Sequence, residues 1–186
     1  MDGDAARTAG RLVVMAADTG RAAHGGVTRI GVTGHRAIPA EAFGHVRTAL
    51  TDALRYPERG GRVEALSSLA AGADQLFAEI ALDCGARLTV VTPADDYEST
   101  FSPAELACFR ALLKRAHSHV ALGFTRVSGE AYYAAGAYIA DHCDLILAVW
   151  DGHPARGLGG TADVVDYARA LGKPVSVIWK QGIERP

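Results

Sequence analysis

Cysteine is scarce: Cys84, Cys108 and Cys143 are the whole supply, and no two stand in a C-x-x-C pair. An odd number at such spacings excludes a disulfide framework and a zinc ribbon, and a reducing cytoplasm is the expected setting. Positive charge is equally short, with 19 Lys and Arg against 21 Asp and Glu and a formal net charge of -2. Binding a phosphate backbone at physiological salt asks for a basic excess, so nucleic acid is not the expected partner. No run approaches the roughly 18 apolar residues of a membrane span. The patch from Leu12 to Ala17 is short and follows acidic residues, unlike a signal peptide, so no membrane association is expected. The sequence also lacks a G-x-S-x-G elbow and a Walker Gly-Lys-Ser/Thr.

What is present describes one globular domain. The chain has 186 residues, 49% of them apolar and 22% charged. That length buries roughly two thirds of the unfolded surface in a single core. Residues 1–26 read as a flexible tail with room for an ordered segment, and 27–186 as the domain. Short Val/Ile/Leu-rich runs recur at Val27–Thr33, Val63–Ser67, Arg87–Thr92, His119–Phe124, Leu145–Trp150 and Val175–Trp179, as in buried parallel strands.

Helical stripes lie between them: Phe43, Val46, Leu50 and Leu54; Ala73, Leu76, Phe77, Ile80 and Cys84; Val164, Val165, Ala168 and Leu171. Ser102-Pro103-Ala104-Glu105 carries a capping box, and Gly85 and Gly172 stand where helices end in a left-handed residue. Strands alternating with helices predict a doubly wound α/β sheet of about six mostly parallel strands, Rossmann-like in class. Ligands of such sheets bind outside the carboxyl ends of the strands.

The turns after strands therefore carry the functional reading. The first strand exits into Gly34-His35-Arg36, where glycine frees the backbone and two side chains offer donors to an anion. The second exits into SSLAAGAD, residues 67–74, whose small residues admit a ligand and whose Asp74 opens a helix. The fifth exits into DGHPARGLGGTAD, residues 151–163, where Gly157, Gly159 and Gly160 lead to Thr161 as the expected helix cap. Free N–H groups at that helix start suit phosphate. GLGGTA also fits G-x-G-x-x-A, but it is late in the chain and lacks the acidic residue about 20 positions on that a dinucleotide fingerprint needs.

Each feature has a plainer reading. His35 and Arg36 fit a solvated turn, Asp74 a helix-dipole contact, and Asp151 a turn former beside Gly152. His117 and His119 have ligand-like spacing without a partnering carboxylate or cysteine, so no metal is expected, and His142 and Cys143 read as packing residues. For cleavage at a glycosidic carbon, the acidic residues placed to act are Asp74, Asp151 and Asp163.

Taken together, IGVTGHR, SSLAAGADQLFAEIAL and DLILAVWDGHPARGLGGTADVV resemble the SLOG superfamily, the Rossmann-like group that joins Smf DNA-processing proteins and LOG nucleotide hydrolases. The resemblance spans about residues 27–180. It implies a nucleotide or nucleotide-derived ligand such as ADP-ribose, an NAD-related molecule or a nucleoside monophosphate. Phosphate would lie near Gly159, Gly160 and Thr161, and sugar or base near Gly34, Ser67 and Gly72. Arg36 would neutralise the phosphate, and Asp74 or Asp151 would take ribose hydroxyls. No further cofactor is implied, and related hydrolases suggest a homodimer.

The hydrolase branch carries PGGxGTxxE. Aligned at Gly160-Thr161, this chain has Arg156 for the proline, Leu158 for the second glycine and Val164 for the glutamate. Valine cannot act as a base, which favours a binding module. The alternative is N-glycosidic hydrolysis or transfer with Asp151 or Asp163 as carboxylate and His35 polarising the leaving group. Single-strand DNA binding of the Smf type stands third, against the net acidity.

Overall fold

The computed structural model describes residues 26–55 and 61–185. The expected tail, apart from its last residue, lies outside them. The chain runs β1 (Val27–Gly34), α1 (Ala40–Arg55), β2 (Arg62–Ser67), α2 (Ala73–Asp83), β3 (Arg87–Ala94), a 3-10 turn (Tyr97–Thr100) and α3 (Pro103–Arg115). It continues through β4 (Ser118–Phe124), α4 (Gly129–His142), β5 (Leu145–Val149), α5 (Thr161–Ala170) and β6 (Val175–Ile178). All six strands join one sheet in the order β4-β3-β2-β1-β5-β6, and every pairing is parallel. The six-stranded α/β architecture expected from the alternating pattern is the one observed, with β3 two residues longer than its apolar run.

Helices cover both faces because each central strand is apolar on both sides. In β5, Leu147 and Val149 join the core cluster built with α1, α2 and α3, while Ile146 and Ala148 join the cluster built with α4 and α5. This strict alternation follows from the period of two in a strand. Along α1 the buried stripe is Ala42, Val46, Leu50 and Leu54, at spacings of four. Phe43, expected on that stripe, is 43% exposed: one helical step of about 100° turns it away. Leu171 is also exposed, because α5 ends before it and it serves as the C-cap.

Local signals set the boundaries. Ser102 accepts the Glu105 N–H while Glu105 accepts the Ser102 N–H at 2.7 Å, completing the expected capping box of α3. Between α4 and α5 the backbones come close at Gly136, where a Cβ would sit 2.3 Å from Val164 Cγ2.

Strand order reverses between β1 and β5, since β1 leads through α1 to β2 on one side and β5 leads through α5 to β6 on the other. Gly34 and Val149 end these two strands in register. A crevice opens beyond them, where the loops diverge.

Candidate functional site

A cleft of about 460 Å³ occupies this switch point. The exit of β1 gives it Gly34, His35 and Arg36, and the turn after β2 gives Ser68, Ala70 and Asp74. The loop before α5 supplies Arg156 through Thr161. Tyr97, Tyr132 and Arg185 complete the polar wall.

The turn after β2 is a built, buried network. Asp74 is 6% exposed, and its Oδ2 accepts the Ser67 hydroxyl at 3.2 Å and the Ser68 N–H at 3.1 Å. The Ser67 hydroxyl in turn accepts the Leu69 N–H at 3.0 Å, and Gln75 Nε2 ties the Leu69 carbonyl to that of Glu105. Leu69, fully buried, is held at φ 56°, a left-handed conformation that costs a branched side chain energy. Gly72 has φ 83° and ψ -115°, and a Cβ there would lie 2.3 Å from the Arg36 carbonyl oxygen. Only glycine lets this turn press against the exit of β1. Burial pushes the Asp74 carboxyl up to about 7, against the pull of Ser67, the Ser68 and Ala70 N–H groups and Arg36. Ser67 and Gly72, expected at the ligand, stand behind this wall: they position Asp74 and Arg36 rather than lining the cleft.

Asp151 lies deeper than expected. Its side chain is 1% exposed and outside the cleft lining. Oδ1 accepts the His153 N–H at 3.0 Å and lies 3.0 Å from His35 Nε2, which itself receives the Asp151 N–H at 3.1 Å. Oδ2 is 3.3 Å from Arg185 Nε but has no well-directed hydrogen bond. Burial alone would raise this carboxyl, yet the His153 N–H, His35 and Arg185 outweigh it and hold it below the usual carboxylate range. His35 is 7% exposed and packs edge-on to Trp179; burial lowers its pKa below the ordinary value, with Asp151 opposing. Arg185 also donates to the Pro154 carbonyl, and Arg36 to the Thr100 carbonyl at 3.1 Å.

The glycine loop departs from expectation at its cap. Gly160 is the N-cap and Thr161 the first helical residue, whose side chain caps nothing. Asp163, in the first turn, accepts the Gly159 N–H of the loop at 2.9 Å and stands outside the cleft lining. Gly159 has φ 82°, and a Cβ there would meet the Tyr133 nitrogen of α4 at 2.6 Å. Its glycine serves packing of the loop on α4, whereas Gly157 faces open space.

Asp74 is thus the sole carboxylate among the described residues that line the cleft. Reading the sequence for glycines leaves out Tyr97, which opens the 3-10 turn beyond β3, and Tyr132, which lies within α4. Arg185 carried no local signal. Elsewhere, His119 Nε2 bonds Thr92 Oγ1 at 2.9 Å, His142 stacks on Tyr138, and Cys143 is buried. Among the described residues no three His, Cys, Asp or Glu side chains are grouped to hold a metal, and no helix is long and apolar enough to cross a membrane.

No family model and no curated protein matches the sequence. Solved structures share its architecture. DNA processing protein A from Streptococcus pneumoniae matches with a TM-score of 0.60 at 18% identity, over 81% of this chain and 50% of its own. The Helicobacter pylori protein of that name, described for its single-stranded DNA binding mode, matches at 0.55 and 16%, over 81% and 64%. The fold they share with this chain is Rossmann-like. A molybdenum cofactor binding protein from Rippkaea orientalis shares it at a TM-score of 0.50 and 17% identity, over 81% of this chain and 75% of its own. The chain spans half the length of the first of these proteins and under two thirds of the second.

Proposed function

We propose that this SLOG-type domain binds a nucleotide or nucleotide-derived ligand in the cleft between β1 and β5. The observation that carries the reading is one open cleft, at the strand-order reversal, into which Arg36, Arg156 and Arg185 and the N-terminal turn of α5 are gathered. Arginine forks and the unpaired N–H groups of a helix start are the donors a phosphate ester requires. Phosphate lies along Gly157 to Thr161 beside Arg156, and the nucleoside extends past Gly34 towards Tyr97 and Tyr132. His35 and Arg36 contact the ligand; Asp151 supports His35 from behind.

Hydrolysis of an N-glycosidic bond is the weaker reading. Of the carboxylates considered for it, Asp151 and Asp163 stand outside the cleft lining, Asp74 alone lines it, and Val164 occupies the glutamate's place. Single-stranded DNA is a third ligand class, favoured by the single-stranded DNA binding of the Helicobacter pylori protein and opposed by the net acidity of this chain.

Thermal unfolding with ADP-ribose, NAD or AMP separates the three. A ligand at 100 times its dissociation constant adds about 2.7 kcal/mol of stability. The expected outcome is an upward shift with at least one of them, without release of free base on incubation. A flat response to all three overturns the proposal, free base establishes the enzyme reading, and a shift by oligonucleotide alone establishes the DNA reading.

A further inference from the structure

Residues 179–185, beyond β6, form neither helix nor strand, yet they lead back to the cleft. Trp179 Nε1 donates to the Ile183 carbonyl at 2.6 Å, the Ile183 N–H donates to the Lys180 carbonyl at 3.3 Å, and Gly182 at φ 79° makes the bend. Lys180 Nζ fastens the root of the segment to the Glu41 carbonyl of α1 at 3.0 Å. Gln181, Gly182 and Glu184 are exposed, whereas Ile183 and Arg185 are half-buried. Arg185 is the tip and lines the cleft; Trp179, at the root, packs edge-on against His35, which lines it too.

Arg185 is loosely engaged there. Within the described residues it makes one directed hydrogen bond, to the Pro154 carbonyl at 2.8 Å. Its Nε lies 3.3 Å from Asp151 Oδ2, but that buried oxygen accepts no directed bond. A guanidinium carries further N–H donors in a rigid fork, and at the cleft wall they remain available to a ligand. Arg156, from the loop before α5, lines the same cleft, and both guanidinium charges bear on His35. Asp151, the carboxylate paired with Arg185, stands outside the lining. Two like charges are thus carried to one part of the cleft by two different segments.

We infer that residues 180–185 are a strap that closes on the phosphate of the bound ligand through Arg185, so that occupancy of the cleft orders the segment beyond the last strand. This rests on the nucleotide reading above and deepens it, because it makes Arg185 a binding residue carried on a movable element. A phosphate set between Arg156 and Arg185 relieves their mutual repulsion and accepts charged hydrogen bonds from both. The strap then gains an anchor at the ligand in addition to those at Pro154 and Trp179. A segment outside the sheet, held by few hydrogen bonds, belongs to the low-stability end of a protein, where a ligand contact has most to order.

The test is amide hydrogen exchange of the full chain with and without saturating AMP, ADP-ribose or NAD, with affinity followed by calorimetry. In the unaltered protein the amides of residues 181–185 are expected to exchange at least about fivefold more slowly once ligand is bound. Arg185→Ala binds about tenfold more weakly, the value of one charged hydrogen bond, and saturating ligand no longer protects the segment. Lys180→Ala loosens the root of the strap outside the cleft: the segment exchanges faster in the free protein, and ligand slows it again. Ligand that binds without changing exchange in 181–185, or equal protection in Arg185→Ala, overturns the inference and leaves the nucleotide reading standing. Binding of none of the three overturns both.

Discussion

The turn after β2 and the loop before α5 are both rich in small residues, yet they are opposite kinds of structure. The turn is buried and cross-linked by hydrogen bonds, with Leu69 and Gly72 in left-handed backbone and Asp74 at its end. The loop lies largely at the surface, with Leu158 55% exposed, and three of its glycines serve different ends. A Cβ at Gly159 or Gly160 would meet close neighbours, while one at Gly157 would reach nothing within 4 Å. Small residues thus signal conformational freedom in both places. The chemistry they support depends on what is buried behind them.

Substitution of the glycines probes this contrast hardest. Gly72→Ala forces a Cβ into the Arg36 and His35 carbonyls at a backbone conformation that only glycine adopts, so several kcal/mol of stability should be lost, or the fold itself. Gly157→Ala should change stability by no more than about 0.5 kcal/mol, because nothing lies within reach of the new methyl. Urea unfolding of the two variants checks both values. Similar losses at the two sites would erase the distinction between turn and loop.

Asp74 gives a second effect of smaller size and opposite sign. Its folded pKa of about 7 lies above the ordinary 3.8, so the protonated form is the one folding favours. That contribution is complete in acid and is lost as pH rises from about 4 to about 7, at most roughly 4 kcal/mol by linkage. Asp74→Asn should therefore unfold at higher urea than the unaltered protein at pH 8, with the gap closing towards pH 4. A gap that is constant or reversed would mean that Asp74 is charged in the folded protein at little cost.

The sheet was legible because its signals are local and repeated. All six apolar runs became strands, and Ser102 to Glu105 formed the expected cap. Side-chain placement was less so. Phe43 and Ala42 are one residue apart, and apolarity alone put the larger one inside; the helix phase buries the smaller. Thr161 is a good capping residue by type, but the helix starts on it and leaves Gly160 as the N-cap, while Asp163 ties the first turn back to the Gly159 N–H.

At the site, residues next to strand ends were found because the switch-point rule names the location before the residues. The rule does not tell a lining residue from its support, so Ser67, Gly72 and Asp151 were grouped with Asp74 and His35. Arg185 joins the cleft from beyond the last strand through its contacts with Asp151 and Pro154, and no sequence spacing encodes that return.

Nucleotide binding at the β1–β5 reversal, as proposed, turns on a phosphate contact to Arg156. Titration of AMP into the unaltered protein and into Arg156→Ala, at low and at moderate salt, tests it most directly. Saturable one-site binding is expected, weakened by salt and weakened about tenfold by the loss of Arg156, as for one charged hydrogen bond to phosphate. Undiminished binding in Arg156→Ala, or no binding by the unaltered protein, would contradict it.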